Sequence, residues 1–103
     1  MVEHITDTHE FTITIIAHGD LSITNTNIPT NVESGVDFNI EYEITNNGAT
    51  DNCYGKITDL STEGVIDSWA ETIDAGAVVT KTFAVSGGIT EAFNGVIEVG
   101  YTT

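Results

Sequence analysis

The sequence has very little positive charge. Lys56 and Lys81 are its only basic residues besides histidine, against 16 acidic residues, so the 103-residue chain has a formal net charge of −14. Nucleic-acid binding depends on clustered Lys and Arg that contact phosphates, and this composition therefore argues against a nucleic-acid partner. The same field repels anionic lipid headgroups and favours cations, cationic partners or a salty medium. We expect protein partners or neighbouring copies of the chain, with self-association as one alternative.

Long hydrophobic runs and disulfide partners are also absent. No stretch approaches the roughly 18 apolar residues that a membrane span needs, so no membrane insertion is expected. Cys53 is the only cysteine, which excludes an intramolecular disulfide. The segment from Met1 to Asp7 does not have the basic start and apolar run of a secretory signal. We therefore predict no export signal in this chain.

The sequence does contain strand-like alternation, most clearly from Val36 to Thr45. Period-two alternation puts one set of side chains against a core and the other set in water. The apolar set is Phe38, Ile40, Tyr42 and Ile44, and the polar set is Asp37, Asn39, Glu41 and Glu43. The pattern predicts a half-buried antiparallel strand. It ends at Asn46-Asn47-Gly48, residues that accept the positive φ of a tight turn.

Other β-prone segments lie on both sides of this strand, and no window shows helical periodicity. They are Glu10 to Ala17, Asp20 to Thr26, Cys53 to Leu60, Val65 to Ile73, Ala77 to Val85, and Phe93 to Thr102. Turn residues separate the later segments at Ser61 to Gly64, Asp74 to Gly76, and Ser86 to Gly88, the last interpreted as a hairpin loop.

About seven short strands at this spacing predict an all-β, immunoglobulin-like, two-sheet antiparallel β-sandwich with essentially no helix. We assign residues 18–103 to the sandwich domain and residues 1–17 to an extra N-terminal strand or arm. Lys81 falls on the apolar face of its segment, which predicts an edge position or a bulge. Trp69 is expected to pack between the sheets rather than to form a ligand platform.

The run from Asp20 to Tyr101 resembles CARDB modules, the immunoglobulin-like modules of archaeal and bacterial surface and adhesion proteins. The resemblance rests on four features: the opening Asp20-Leu21-Ser22-Ile23, the strand Val36 to Ile44 with its Asn46-Asn47-Gly48 exit, the Gly76 turn before a Thr-rich strand, and the closing strand Gly95 to Tyr101. It covers about four-fifths of the chain and implies the fold more than the function. The segment from Met1 to Ala17 departs from the pattern, because a minimal module does not need it.

The residues that most often carry catalysis do not form a convergent set in the sequence. A catalytic Cys53 would need a histidine and an orienting acid, but His4, His9 and His18 all precede residue 20. We interpret Cys53 as a small core or edge side chain and expect no catalytic residues and no enzyme activity. His4 and His9 have a five-residue offset, which puts them on opposite faces of a strand and does not support a shared metal site.

Calcium is the one cofactor for which the sequence offers candidates, because hard cations take carboxylate and amide oxygens. The weak candidates are Glu41, Glu43, Asp51, Asn52, Glu71 and Asp74, with Asp74 beside Glu71. None matches a calcium-loop consensus, and the alternative is that these side chains solvate the surface.

Two functions fit these observations. The first is a non-catalytic structural or interaction module of a surface assembly. The specific expectation is a virion surface protein that decorates the capsid or belongs to the tail. In it, the N-terminal strand would add to a neighbour's sheet edge. The second is a cell-surface adhesion module excised from a longer protein and stiffened by calcium. The expected location is a virion surface, or the extracellular or cell surface.

Overall fold

A computed structural model describes residues 2–15 and 18–102, which form strands and loops without a helix. The strands are β1 (Leu21–Asn27), β2 (Phe38–Asn46), β3 (Asp51–Asp59), β4 (Val65–Ile73), β5 (Val78–Val85) and β6 (Gly95–Tyr101). No helix in the described ranges is long and apolar enough to cross a membrane. The described residues form six strands rather than about seven, because residues 10–15 of the segment predicted from Glu10 to Ala17 form none. Ile16 and Ala17 lie outside the described residues.

The strands form two three-stranded antiparallel sheets, in the orders β1-β2-β5 and β4-β3-β6. Two connections, β1 to β2 and β3 to β4, join neighbours in one sheet, while the other three cross between the sheets. The interpretation of Ser86 to Gly88 as a hairpin loop was therefore wrong, because β5 and β6 do not pair. The turns themselves are confirmed, with positive φ at Gly76, Gly87 and Gly88.

The core lies between the two sheets and is built mainly by β2. Ile40, Tyr42 and Ile44 are 5%, 1% and 0% exposed and cluster with Ile57 of β3, from the other sheet. Half-buried apolar residues from every strand except β3 pack around this cluster: Leu21, Phe38, Trp69, Phe83, Val85, Ile97 and Val99. The predicted burial pattern of β2 is confirmed, and removal of these side chains from water holds the sheets face to face.

Asn46 differs from its predicted role as a turn residue. It is the last residue of β2 and is 0% exposed. Among the described residues, positive φ occurs at Glu63 and four glycines and not at Asn46, Asn47 or Gly48, so that part of the turn prediction was wrong. The reason is that the Asn46 amide has polar partners in the fold: its Oδ1 accepts from the N–H groups of Asp20 and Gly48 at 3.1 and 3.0 Å.

Trp69, Tyr42 and Lys81 connect the sheets on the side where β4 faces β5. The Trp69 indole N–H donates to the Tyr42 hydroxyl at 2.7 Å. The Lys81 ammonium lies 4.5 Å from the centroid of the Trp69 ring and pairs with Glu71 at 2.5 Å. Lys81 lies on an edge strand in regular register with β2, so the edge alternative is confirmed and the bulge is not present. Packing of Trp69 between the sheets is also confirmed.

Candidate functional site

Residues 2–15, which we call the arm, lie at one end of the sandwich. At this arm end the β2–β3 turn approaches the residues that precede β1: the Ala49 N–H donates to the His18 carbonyl at 3.1 Å, and the Asn47 N–H to the Asp20 carbonyl at 2.8 Å. The His18 ring also stacks on Tyr101 at the end of β6, with ring centroids 4.4 Å apart. The arm therefore joins the sandwich where β2 and β6 end and β3 begins.

The arm presents an alternating row of apolar side chains that are largely exposed to solvent. Phe11, Ile13 and Ile15 are 77%, 81% and 85% exposed and alternate with Thr12 and Thr14. Residues 11–15 carry no charge, in a chain with 16 acidic residues. An exposed apolar row of this kind is typical of an interaction surface.

At the opposite end, the two sheets separate around an apolar groove of about 690 Å³, which we call the end groove. Its floor and rim are formed by core residues and by the loops that follow β1, β3 and β5, including Phe38, Ile57, Leu60, Phe93 and Ile97. Among the described residues, Glu91 is the single charged residue that lines it. The volume falls in the range of clefts that enclose a small ligand, so the end groove has room for a few side chains and not for a domain.

One side of the end groove is formed by β6, and no strand of residues 2–15 or 18–102 pairs with the edge of β6 that faces away from β3. Pairing of β6 with β3 is regular over seven residues, without a register shift. The other edge strands are interrupted: the pairs of β1 and of β4 contain register shifts, and β5 carries the inward-facing Lys81. Bulges and inward charges protect sheet edges from further pairing, and β6 has neither. Its one charged residue, Glu98, lies 3.9 Å from Lys56.

The calcium candidates do not come together. Glu41 and Glu43 accept from Thr82 and Thr24, and Glu71 pairs with Lys81 rather than with Asp74, beside which it was expected. Asn52 accepts from Thr72, and Asp74 contributes its backbone carbonyl to Asn46. Within residues 2–15 and 18–102, no group of three or more His, Cys, Asp or Glu side chains is arranged to hold a metal ion.

Asp51 and His18 do come together, although they are far apart in the sequence. The Asp51 carboxylate accepts from the Gly19 N–H at 3.0 Å and lies 3.4 Å from His18 Nδ1. The hydrogen bonds from the backbone of Gly19 and Asn52, with a smaller contribution from His18, lower the pKa of Asp51. This cluster joins the first residues of the sandwich to β3.

Cys53 lies beside this pair but is closed off from solvent. The thiol is 1% exposed and donates to the Asp51 carbonyl at 3.4 Å, and burial raises its pKa. A raised pKa keeps a thiol protonated and weakly nucleophilic. The interpretation of Cys53 as a small core side chain is confirmed. His4 and His9 are exposed on the arm.

The end groove was not predicted from the sequence. The available signal was a set of apolar residues between the predicted strands, such as Ile28, Val32 and Ile89, together with Leu60 at the end of one. Apolar residues gathered in several connecting loops indicate either a capped core or an exposed recognition surface.

Comparison with known proteins gives no relative: no protein family, no curated protein and no solved structure matches this chain.

Proposed function

We propose that this chain is a non-catalytic structural module that builds or decorates the outer surface of a larger assembly, with a virion surface as the specific assembly and neighbouring copies or other proteins as its partners. The observation that carries the proposal is the arm, whose apolar row at Phe11, Ile13 and Ile15 is 77–85% exposed. A lone domain gains nothing from such a row, whereas a module that joins a neighbour buries it.

The strand order supports an immunoglobulin-like sandwich of the kind common in surface modules. In that fold strands A, B and E share one sheet, and C, F and G share the other, with an additional strand beside C in some types. The order β1-β2-β5 corresponds to A, B and E, and β4-β3-β6 to the additional strand, C and F. Within the described part of the chain, no strand occupies the position of G beside β6. The CARDB resemblance belongs to the same proposal.

The charge also suits a surface module present in many copies. A net charge of −14 keeps separate copies soluble and repels nucleic acid and anionic membranes. Because residues 11–15 and nearly all of the end groove are uncharged, contacts made through them avoid the repulsion that the rest of the surface produces.

The proposal is tested by locating the chain on intact particles. Antibodies raised against the folded protein are used for immunogold electron microscopy on virus particles and on unlysed cells of the source. Label on the outside of particles is the expected result. Label on the cell envelope alone would instead favour the adhesion module, and label confined to the cell interior would overturn both.

The arm is tested separately by deleting residues 1–17. The shortened protein is expected to keep the circular dichroism spectrum of the sandwich and to lose incorporation into particles. Incorporation at the level of the full-length chain would show that the arm does not provide the connection.

A further inference from the structure

The geometry points to a head-to-tail chain of copies, in which the arm of one molecule lies along the free edge of β6 in the next and fills that molecule's end groove. This inference rests on the proposed function and specifies its partner: a second copy of the same chain. Three independent features carry it, namely the position of the arm, the direction it would run and the chemistry of the two surfaces.

The arm and the end groove lie at opposite ends of a long molecule. The extents are 86 × 22 × 22 Å. Strands of at most nine residues make a sandwich on the order of 30 Å long before its loops are added, so the arm provides much of the remaining length. Because the two short extents stay at 22 Å, the arm continues the long axis rather than folding back beside the sheets. Each copy thus carries its apolar row at one end and its apolar receptor at the other.

The direction of the chain fits strand addition. Strand β6 runs from the groove end to the arm end, because Gly95 lines the end groove and Tyr101 stacks on His18. An arm that enters from a coaxial neighbour has Ile15 nearest the groove end and its earlier residues deeper in the sandwich. It therefore runs antiparallel to β6, which is the commoner pairing and the direction of a missing strand G.

Apolar and polar side chains alternate along the arm, as required of a strand with one face in the core and the other in solvent. When the arm pairs with β6, one row of side chains enters the space between the sheets and the other faces solvent. Phe11, Ile13 and Ile15 supply the apolar row, and Thr12 and Thr14 supply the polar one. Backbone hydrogen bonds would come from the unpaired edge of β6, while the pockets for alternate side chains come from the end groove.

A second copy is favoured over the chain's own arm by the same geometry. To reach its own β6 the arm would have to reverse direction just before His18 and would then run parallel to β6. In the described residues it does not do so, since Phe11, Ile13 and Ile15 stay exposed. A contact between different surfaces of identical molecules is heterologous and extends into a filament or a closed ring.

The experiment uses the full-length chain and two complementary variants. The arm variant, Phe11→Asp with Ile13→Asp, spoils the donor row but keeps the groove. The groove variant, Ile28→Asp with Leu60→Asp, changes two rim residues that are 42% and 57% exposed, so that the sandwich keeps its core. Sedimentation velocity then measures each protein alone, and the two variants mixed, over a range of concentrations.

The wild-type protein is expected to form species that grow beyond a dimer with concentration. Each variant alone is expected to stay monomeric, with association weakened by roughly 30-fold or more, the effect of losing one interface hot spot. Mixed together, the variants are expected to form a complex of two chains that grows no further, because only one intact arm and one intact groove remain. Hydrogen exchange in that complex is expected to slow along β6 of the arm variant.

Two controls introduce aspartate elsewhere, the first with the same two added charges and the second with one. Thr12→Asp with Thr14→Asp changes the solvent-facing row of the arm, and Val78→Asp changes an exposed residue (59%) on β5. Both are expected to associate like the wild type. Circular dichroism confirms the fold of every variant.

Three results would overturn the inference. One is a wild-type protein that is monomeric throughout, which leaves surface labelling to decide the proposed function by itself. The second is a groove variant that still grows while the arm variant does not, which places the arm on another surface and leaves the proposed function standing. The third is a pair of variants that fails to combine although the wild type associates.

Discussion

Asn46 is the residue on which the two sheets and the turns at the arm end most depend, and replacing it by alanine is the sharpest test of the fold. Its Nδ2 donates to the carbonyls of Ala49, Ile73 and Asp74 at 2.9, 3.0 and 3.4 Å. With the two bonds that its Oδ1 accepts, one buried amide connects the start of β1, the β2–β3 turn and the end of β4.

The size of the effect follows from those bonds. Four of the five are shorter than 3.2 Å, and each contributes about 1 kcal/mol to the free energy of unfolding. Water recovers part of this where a partner lies near the surface, whereas the Ile73 carbonyl is buried with its residue, which is 3% exposed. We therefore expect Asn46→Ala to lower the free energy of unfolding by about 3–4 kcal/mol, a large share of the 5–15 kcal/mol typical of a domain.

Urea unfolding, followed by Trp fluorescence, measures this loss. Asn47→Ala is the matched control, because Asn47 is exposed and its side chain makes a single bond, to Ser22 at 2.9 Å. The control is expected to cost less than about 0.5 kcal/mol. A loss below about 1 kcal/mol for Asn46→Ala, or equal losses for the two variants, would refute the assignment of Asn46 as the connecting residue.

Two further predictions concern single contacts. Trp69→Phe and Tyr42→Phe should each destabilise the fold by about 1–3 kcal/mol. The double variant should be destabilised by less than the sum of the two losses, because either change removes the same hydrogen bond. Additive losses in a double-mutant cycle of urea unfolding would contradict this. The pKa of Asp51 is lowered in the folded state, so its carboxylate stabilises the fold above about pH 4 and this contribution is lost as the pH falls through the folded-state pKa. The difference in unfolding free energy between the wild type and Asp51→Asn should therefore shrink on acidification. If the unfolding free energies of these two proteins change in parallel with pH, the Gly19 N–H does not donate to an ionised Asp51 carboxylate.

The strands were the most predictable part of the structure. Val65 to Ile73 was predicted with the bounds that β4 has, and β2 was displaced by two residues at its start and by one at its end. Local alternation and turn residues are sufficient for this, because each strand buries one face. The two-sheet, all-β fold follows from the same signal.

Long-range contacts were not predictable in the same way. Asn46 reads locally as a turn residue, and its buried role depends on partners 26 and 27 positions away in the sequence. Residues 10–15 have the alternation of a strand, but a strand also needs a partner edge, which the described chain does not provide to them. The end groove depends on three loops that meet only in the folded molecule. Pattern alone therefore found a strand-like segment from Glu10 to Ala17 and found neither the exposure of its apolar side chains nor the end groove.

The solution mass of the full-length chain tests the central claim most directly. Light scattering is measured over a range of protein concentrations, in calcium and in chelator at the same ionic strength, beside the protein without residues 1–17. The account predicts a mass that grows with concentration equally in both buffers and falls to that of a monomer when the arm is removed. A chain that is monomeric in both buffers would contradict it, and a chain that associates only in calcium would contradict it and favour an adhesion module.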